Sequence, residues 1–493
     1  MRKPFVVTAA LLLAGCNLAP PHTLPTAPTP ADYVDPSGVV PGVRATEIGW
    51  RDFFADPRLE ALVAEALRRN RDLAVAVGRI EEARATYRIQ DADRLPTIGG
   101  NLGASRTRTG TAGLGQFGGL AGGAVIPPVD GEDGEGDGTA DTPSGFTFNQ
   151  FTANVGVSAF ELDFWGRVRN LSQAARDQYL ATVEAERAFR LTLIRDVASA
   201  YLSAREADER IVLAQRTVES RQRGLALARR RFEAGVTSSL DFRQAEALLT
   251  QAETELGAVR LQRAQADNLL MVLVGGPTTA SLPTPLTLAQ QVTPTVAAGL
   301  PSELLVARPD VLQAELQLRA SRANIGAARA AFFPSISLTG TLGFASNELG
   351  DLFTDRGFTY SVGPALSLPI FDWGRREAQL DVARARENIA VATYERTVQG
   401  AFQEVSDALA GRRYLSDQVA AATRAVEAQE RIVGVARARY REGVSTFLEV
   451  LDAERELFTA QSALLQLRRQ EALNRVSLYV ALGGGLVEGA PAS

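Results

Sequence analysis

The stretch RFEAGVTSSLD, from Arg231 to Asp241, returns 208 residues later as RYREGVSTFLE, from Arg439 to Glu449. The same offset, without a gap, relates the WGR at 165–167 to the WGR at 373–375, and it extends to the paired glycines at 275–276 and 483–484. An internal repeat of this length predicts that one structural solution is used twice around an axis.

Each copy of the quoted stretch carries the signals of a tight turn between two helices. Gly235 and Gly443 are predicted to adopt the left-handed conformation that ends a helix. The spacing of Ser238–Asp241 and of Thr446–Glu449 predicts capping boxes that begin the returning helices. We therefore expect a long helix, a turn and a returning helix of about 35 residues in each copy. These coiled-coil hairpins are predicted at 166–274 and 374–482.

Long helices are permitted because no proline lies between Trp165 and Pro277 or between Pro369 and Pro491. Apolar residues recur with heptad spacing in both stretches, and many are alanines, which lets helix axes approach closely. The second copy places Val391, Val398, Val405, Arg412, Val419, Val426, Val433 and Tyr440 at one heptad position and Tyr394, Ala401, Ala408, Leu415, Ala422, Gln429 and Ala436 at the other. The first copy carries Leu193, Val197, Ala200, Ala204, Ala207, Ile211, Ala214, Val218, Leu225, Ala228 and Phe232 in the same frame. A helix of about 67 residues from position 166 would be roughly 100 Å long.

Each copy also contains two segments in which apolar residues alternate with Ser, Thr and Gly, as in strands. The predicted strands span 97–106 and 147–161 in the first copy and 335–345 and 358–370 in the second. In the first copy the alternating residues are Phe151, Ala153, Val155, Val157 and Ala159. Strands of about ten residues are long enough to cross an outer membrane at a tilt. Two edge hairpins on a soluble body are the alternative that the alternation leaves open.

An acidic, glycine-rich loop at 109–144 distinguishes the first copy. Pro96 and Trp165 are 69 positions apart, whereas Pro334 and Trp373 are 39 positions apart, so the first copy has 30 extra residues. The composition is typical of disorder, and the position predicts a long extracellular loop. A calcium site is the alternative, but the segment lacks the spaced ligands of an EF-hand loop.

The N-terminus predicts export and lipid attachment. Residues 1–15 combine a basic start with a short apolar run, as in a signal peptide, which is too short to span a membrane. The run ends in Leu13-Ala14-Gly15-Cys16, which resembles the bacterial lipobox, with Asn17 rather than an inner-membrane retention aspartate after it. We expect cleavage before Cys16, acylation of that residue and an outer-membrane location. A chance cysteine after an ordinary signal is the alternative.

The remaining boundaries follow from composition. A proline-rich tether is predicted at 16–48, a first repeat at 49–276, a proline-rich connector at 277–305, a second repeat at 306–484 and a tail at 485–493. The net charge is −5 and the only histidine, His22, lies in the tether. No nucleic-acid partner is predicted, because binding nucleic acid would need a basic face. A His-based catalytic dyad or metal cluster has no material, and the sequence predicts no enzyme activity, no metal site and no cofactor.

Four membrane strands in one chain cannot close into a barrel. An open edge in lipid leaves backbone groups unpaired, and small barrels have about eight strands. Several chains are therefore expected to share one barrel. The predicted fold is mainly α with membrane β: a two-fold repeat, long antiparallel coiled coils and four strands per chain, so that three chains would give twelve strands and a ring of helices.

The sequence resembles the TolC-type outer-membrane efflux proteins, specifically the NodT-like lipoprotein branch that works with RND pumps. The resemblance covers nearly the whole mature chain and rests on several motifs together. These are WxxFFxDPxL from Trp50, NxDL from Asn70, RPDV from Arg308, AAFFPSI from Ala330, LPIFDWGR from Leu368 and YxALGGG from Tyr479. It implies a homotrimer with a 12-stranded barrel and a periplasmic helical tunnel, docked through a periplasmic membrane-fusion adaptor to an inner-membrane RND pump. It also implies N-palmitoyl and S-diacylglycerol groups on Cys16.

The family places the two helix turns at a periplasmic tip that meets the adaptor. By resemblance the docking residues are Arg231, Gly235, Ser238, Leu240, Asp241, Arg439, Gly443, Thr446, Leu448 and Glu449. Capping alone would explain the turn residues but not the matched Arg and Leu beside them.

The gate of the lipoprotein branch maps onto the second copy. Leu448 is expected to form an apolar constriction, and Tyr440, Asp452 and Arg455 the polar contacts that hold it shut. The first copy has Gln244 and Ala247 at the positions of the charged pair, which suggests different roles for the two hairpins. A solvated helix pair of small energetic value is the alternative for Asp452 and Arg455.

The resemblance implies a passive trimeric exit duct that conducts drugs or other small molecules across the periplasm and outer membrane. A structural coiled-coil lipoprotein that acts as a periplasmic spacer is the second hypothesis. A lipid-anchored enzyme is the third, and it has almost no support in the sequence.

Overall fold

The structure, a computed structural model, describes residues 17–26, 29–30, 33, 42–109, 146–277, 282–291, 293–299 and 303–488. The predicted signal peptide, Cys16, nearly all of the acidic loop and the last five residues of the tail lie outside these ranges.

The helices and strands fall into two blocks, each with a strand pair between helices. The first block contains α1 (Trp50–Phe53), α2 (Pro57–Arg69), α3 (Arg71–Ala92), β1 (Ile98–Thr109), β2 (Phe146–Glu161), α4 (Arg167–Glu233) and α5 (Ser239–Val274). The second contains α6 (Leu304–Ala307), α7 (Pro309–Ala330), β3 (Ser335–Ser346), β4 (Phe358–Ser367), α8 (Arg375–Arg441) and α9 (Phe447–Ala481). The order confirms the two-fold repeat and the mainly helical fold with four strands per chain.

The chain divides into two compact units. One holds the described parts of 1–20, 88–172 and 324–381, and it contains the whole sheet. The other holds the described parts of 21–87, 173–323 and 382–493, and it contains the helix turns. Among the described residues, no helix combines the length and the apolar character needed to cross a membrane.

The long helices α4 and α8 contain 67 residues each. Both end in a Schellman motif: Gly235 N donates to Phe232 O and Val236 N to Arg231 O, and Gly443 and Val444 repeat the pair of bonds one copy later. The glycines have φ of 69° and 73°, a conformation that glycine adopts without steric cost. The predicted left-handed turns are confirmed.

The predicted capping boxes are only partly present. Ser238 Oγ accepts from Asp241 N at 3.4 Å, which is one half of a box. Thr446 makes no side-chain cap bond, so the second predicted box is wrong. The Glu449 carboxylate instead lies 3.7 Å from the Arg439 guanidinium at the end of α8, and this attraction competes with capping.

The four strands form one antiparallel sheet in the order β1-β2-β3-β4. The register pairs Ile98 with Val157 in the first hairpin and Leu342 with Tyr360 in the second. The hairpins are joined because β2 also pairs with β3, with Val155 opposite Leu342. The sheet is therefore continuous across the two copies, and β1 and β4 are its edges.

One face of the sheet is mainly apolar as far as Phe151, beyond which Arg106 and Asn149 lie on it, and a β-bulge preserves the apolar face at its other end. The predicted alternation through Ala159 is wrong, because the register shifts between Val157 and Phe160 and Ala159 has φ of 50°. The Ala159 N–H, displaced from the ladder, donates to Thr339 Oγ1 at 3.2 Å. The shift places Phe160 opposite Leu338, on the same face as Val157. The face contains Ile98, Leu102, Phe151, Val155, Val157, Phe160, Ile336, Leu338, Leu342, Phe344, Phe358, Tyr360, Val362 and Leu366.

The main helical core surrounds the C-terminal part of α9. The Tyr479 ring stacks on Phe53 with centroids 3.9 Å apart, and its hydroxyl donates to Ile48 O at 2.6 Å. Heptad residues of both copies are buried in the same cluster, which supports the assigned frame. They include Val197, Ala200, Ala204, Val398, Ala401, Val405 and Ala408. Phe232 departs from the heptad prediction because its side chain is exposed and stacks on Phe242 of the returning helix.

The described part of the predicted tether contacts α7. Arg329 Nη1 donates to Leu18 O at 3.0 Å, and Arg322 Nη1 donates to Thr23 O at 2.7 Å. His22 lies between Glu315 and Arg322, with each contact at 3.3 Å.

A buried carboxylate ties α2 to α4 and the connector. Asp56 is fully buried and accepts from Tyr201 Oη at 2.6 Å, Gln291 Nε2 at 2.7 Å, Leu286 N at 3.1 Å and, at the start of α2, Arg58 N at 2.9 Å. Burial is the main cause that raises the pKa of Tyr201, and the hydrogen bond to Asp56 raises it further. The phenol therefore stays a donor.

We predict that Asp56→Ala lowers the apparent melting temperature of the purified protein strongly, because each buried donor left unpaired costs about 1–3 kcal/mol. Tyr201→Phe removes one donor and keeps the carboxylate, so its effect should be markedly smaller. Thermal unfolding followed by circular dichroism tests the ranking. Asp72→Ala, at an exposed aspartate, is the control. Equal melting temperatures for Asp56→Ala and the control would contradict the assigned role.

Candidate functional site

The two helix turns expose a matched apolar surface. Val236 and Val444 follow the turn glycines and are 70% and 69% exposed. Leu240 and Leu448, in the first turns of α5 and α9, are also exposed. Exposed apolar side chains at two equivalent turns are candidates for contact with a partner. We call these four residues the tip surface.

The two turns are joined through Arg231 and Tyr440. The Arg231 guanidinium donates from Nη1 to the Tyr440 hydroxyl and lies over the ring, 4.8 Å from its centroid. The Tyr440 ring in turn lies 5.1 Å from Phe447 at the start of α9. A residue predicted for docking and one predicted for gating therefore contact each other, and the contact links α4 to α8.

Phe447 packs against a glycine on α4. A Cβ added at Gly224 would lie 2.9 Å from Phe447 Cζ, so only glycine admits the ring this closely. The equivalent of Phe447 in the first copy is Ser239. The contact between the two hairpins therefore depends on a phenylalanine that the first copy lacks at the equivalent position.

Glu454 connects three helices just above the turns. Its carboxylate accepts from Arg437 of α8 at 2.7 and 3.0 Å and from Ser220 of α4 at 3.2 Å. The buried Arg221 of α4 lies 3.3 Å from the same carboxylate and donates to Leu451 O at 3.2 Å. Burial lowers the pKa of Arg221, and the Glu454 charge offsets part of that effect. Breaking such a buried pair leaves an uncompensated charge.

The cluster around Glu454 was not predicted from the sequence. Its signal was present, because Arg221 occupies the interval between Val218 and Leu225, where the heptad frame calls for an apolar residue. A charged residue at a coiled-coil core position usually has a buried partner.

The predicted gate residues do not form one bonded group within the chain. Asp452 and Arg455 pair with each other at 3.4 Å, both about half exposed, and Arg455 also reaches Glu456 at 3.3 Å. Tyr440 bonds to Arg231 instead of either of them. Leu448 lies in the tip surface. Their joint role as a gate stays a prediction.

The remaining docking residues lie around the same turns. Arg439 and Glu449 face each other at the second turn, and Ser238 and Asp241 form the half capping box of the first. A cavity of about 700 Å³ lies between α4, α5 and α9 and is bordered by Arg221, Arg455 and Phe458. Among the described residues, no group of His, Cys, Asp and Glu is arranged to hold a metal ion.

Comparison with known proteins places the chain in a family. The sequence profile described as "Outer membrane efflux protein" matches residues 62–276 and 300–484, one segment for each copy of the repeat. The chain is 39% identical over 487 residues to the probable efflux pump outer membrane protein TtgC of Pseudomonas putida, covering 98% of this chain and 95% of that one. It is 38% identical over 486 residues to the cation efflux system protein CusC of Escherichia coli K12, covering 98% of each.

The fold agrees with a solved channel. The open-state structure of the MtrE outer membrane channel of Neisseria gonorrhoeae superposes with a TM-score of 0.83 at 36% identity, covering 97% of this chain and all of that one. Three observations agree. The long helices form a duplicated hairpin, the four-stranded sheet has one apolar face, and the chain is similar to such channels over its full length. The chain belongs to the outer membrane efflux protein family and is the outer-membrane exit duct of an efflux system.

Proposed function

We propose that three copies of this chain form one duct, which receives small molecules from an inner-membrane RND pump through a periplasmic membrane-fusion adaptor and conducts them passively to the outside. The observation that carries the proposal is the sheet, whose four strands have one apolar face and two free edges in a single chain. Lipid cannot hydrogen-bond those edges, so copies must pair β4 of one with β1 of the next. Three copies of four strands give a barrel of twelve.

The lipid anchor is the second part of the proposal. Cys16 would carry N-palmitoyl and S-diacylglycerol groups, which together attach the N-terminus firmly to a membrane. The contacts of Leu18 and Thr23 with α7 support a short, ordered path from that anchor to the folded chain. The helical hairpins would then form the large periplasmic part.

The tip surface is the proposed docking site for the adaptor. Its four apolar side chains are presented by turns whose Schellman bonds fix the backbone, so a partner meets a preformed surface. Polar residues of the same turns would form its rim, as in a transient interface. They are Arg231, Ser238, Asp241, Arg439, Thr446 and Glu449.

The cargo is proposed to be small molecules selected by the pump. The relatives are named for toluene, solvents, antibiotics and cations, although they share about the same identity with this chain. Such a range fits a duct that does not choose its cargo. The work of transport belongs to the pump, and we assign no catalytic role to this chain.

The gate is proposed to lie at the second hairpin, where Leu448 narrows the duct and Tyr440, Asp452 and Arg455 hold the closed position. The asymmetry of the copies supports this. Arg231 and Glu454 bind α8 and α9 to the neighbouring α4, so movement of the second hairpin is coupled to that helix. Opening would require these contacts to break or rearrange.

The duct and spacer hypotheses differ in ion conduction. We expect purified full-length protein in planar lipid bilayers to give small, closed-state conductance steps, because the lumen would be continuous but constricted at the tip. A spacer would give none. Absence of conductance both in the native protein and in the gate variant below would overturn the duct.

We predict that Asp452→Ala combined with Arg455→Ala raises single-channel conductance several-fold and sensitises cells to large antibiotics, since the proposed closing contacts are lost. The fold should persist, because an exposed ion pair contributes only about 0.2–1 kcal/mol. Arg229→Ala with Glu233→Ala, a similarly exposed pair on α4, is the matched control. Equal conductance in the two double variants would refute the gate assignment.

We predict that Gly443→Pro abolishes pump-dependent resistance while oligomers persist, because proline cannot adopt the φ of 73° that the turn requires. Val236→Asp with Val444→Asp should have the same effect without changing the backbone. Resistance of a deletion strain carrying each variant is the measurement. Val306→Asp, at an exposed valine of α6, should complement normally. Full complementation by the tip variants would exclude docking at the turns.

A further inference from the structure

We infer that neighbouring copies of this chain join by repeating, across the subunit boundary, the contact that α4 makes with α8 and α9 inside one chain. The contact between copies then consists of Tyr414, Gln429, Ile432 and Arg439 of α8 in one copy and Phe232, Ser239, Glu246 and Leu261 of the α4–α5 hairpin in the next. The inference rests on the proposed oligomeric duct and assigns its subunit contact residue by residue.

The contact inside the chain consists of matched pairs along α4. Glu206 pairs with Arg469 of α9 at 2.6 Å. Gly224 receives the Phe447 ring, and Arg231 lies over Tyr440. These pairs fix how the first hairpin meets the second hairpin of the same chain.

For each of these pairs, the repeat identifies an equivalent pair of residues in the opposite copies, and the two members of that equivalent pair lie apart in the single chain. Adding 208 to an α4 position gives its α8 equivalent, and subtracting 208 from an α8 or α9 position gives its α4 or α5 equivalent. If the hairpins follow each other evenly around a ring, α8 must meet the α5 of the next copy as α4 meets α9. The side chains at the converted positions therefore have to be complementary.

The pair of Gly224 with Phe447 has an equivalent pair in which the small and the large residue have exchanged helices. Gly224 converts to Ile432, and Phe447 converts to Ser239. A small residue facing a large one becomes a large residue facing a small one. Ile432 is 50% exposed in the single chain, and Ser239 is exposed as well, so both are available for the contact.

The ion pair becomes an apolar pair. Glu206 converts to Tyr414, and Arg469 converts to Leu261. These side chains are 57% and 59% exposed in the single chain, which is unfavourable for residues of their size. Mutual burial across a subunit boundary removes both from water, and neither change alone would give a matched pair.

The two remaining pairs also stay compatible. Arg231 over Tyr440 converts to Arg439 over Phe232, which retains a cation and an aromatic ring. Arg221 beside Glu454 converts to Gln429 beside Glu246, an amide donor beside a carboxylate. An unrelated partner would have no reason to match the register of four pairs, so the occupant of this surface is a second copy of the chain.

Cysteine cross-linking tests the register directly. Full-length protein with Ile432→Cys and Ser239→Cys, in native membranes, is treated with a short bifunctional thiol reagent and separated on a denaturing gel without reductant. We expect covalent dimers and trimers, because each boundary supplies one cysteine from each copy. Each single variant should run as a monomer, and Gly224→Cys with Phe447→Cys should cross-link only within the chain.

A charge graft provides a second readout on the same surface. Tyr414→Glu alone and Leu261→Arg alone should lower the melting temperature of the oligomer, and the double variant should recover most of the loss by recreating the Glu206–Arg469 pair between copies. Recovery needs the two positions to face each other, so a merely structural effect of each change would not produce it.

The outcomes separate the inference from the proposed duct. Native oligomers that conduct ions but show neither the cross-link nor the recovery would overturn the inferred register and leave the duct intact. Cross-linked bands from a single variant would also overturn it, because the surface would then meet itself. A monomeric, non-conducting protein would overturn the proposed function and the inference together.

Discussion

Backbone groups that face lipid must be hydrogen-bonded, and this constraint determines how the rest of the molecule is organised. One chain supplies four strands, too few to close around a lumen, and the sheet ends at β1 and β4. Continuity of β2 with β3 makes the two copies of the repeat one sheet, and the bulge at Ala159 keeps a single apolar face through a change of register. Closure is then a task for several copies, which is why contacts between chains matter as much as the core of each chain.

The two helical hairpins have equivalent turns but differ in the contacts between them. Both copies end their long helices with identical backbone bonds and expose equivalent valines and leucines. They differ where the hairpins touch: Phe447 against Gly224, and Glu454 between Arg221 and Arg437, have no counterparts of the same kind in the other copy. Duplication explains why the two hairpins share their turns. In the proposed gate, divergence at these positions would make one hairpin the brace and the other the moving element.

Much of the fold could be predicted from sequence because it depends on local signals. Helix length follows from the absence of proline, and the turns follow from glycine at fixed positions. The errors fall where a distant residue decides the outcome. Ala159 leaves the ladder in a bulge whose freed N–H meets the Thr339 hydroxyl, and Thr446 lacks a cap bond while Glu449 is drawn to Arg439. The pairing of β2 with β3 crosses the boundary between copies, and no alternation pattern encodes it.

The candidate site was predictable only in part for the same reason. The turns could be located from the repeat, but the contact of Arg231 with Tyr440 joins residues 209 positions apart. Copies of this duplicated chain are proposed to close into one tube, and cryo-electron microscopy of the full-length protein in lipid nanodiscs would show that closure. We expect three copies around one lumen, with a closed barrel of twelve strands and evenly spaced helical hairpins. A particle with another number of copies, or with β1 and β4 left unpaired in the lipid, would contradict it.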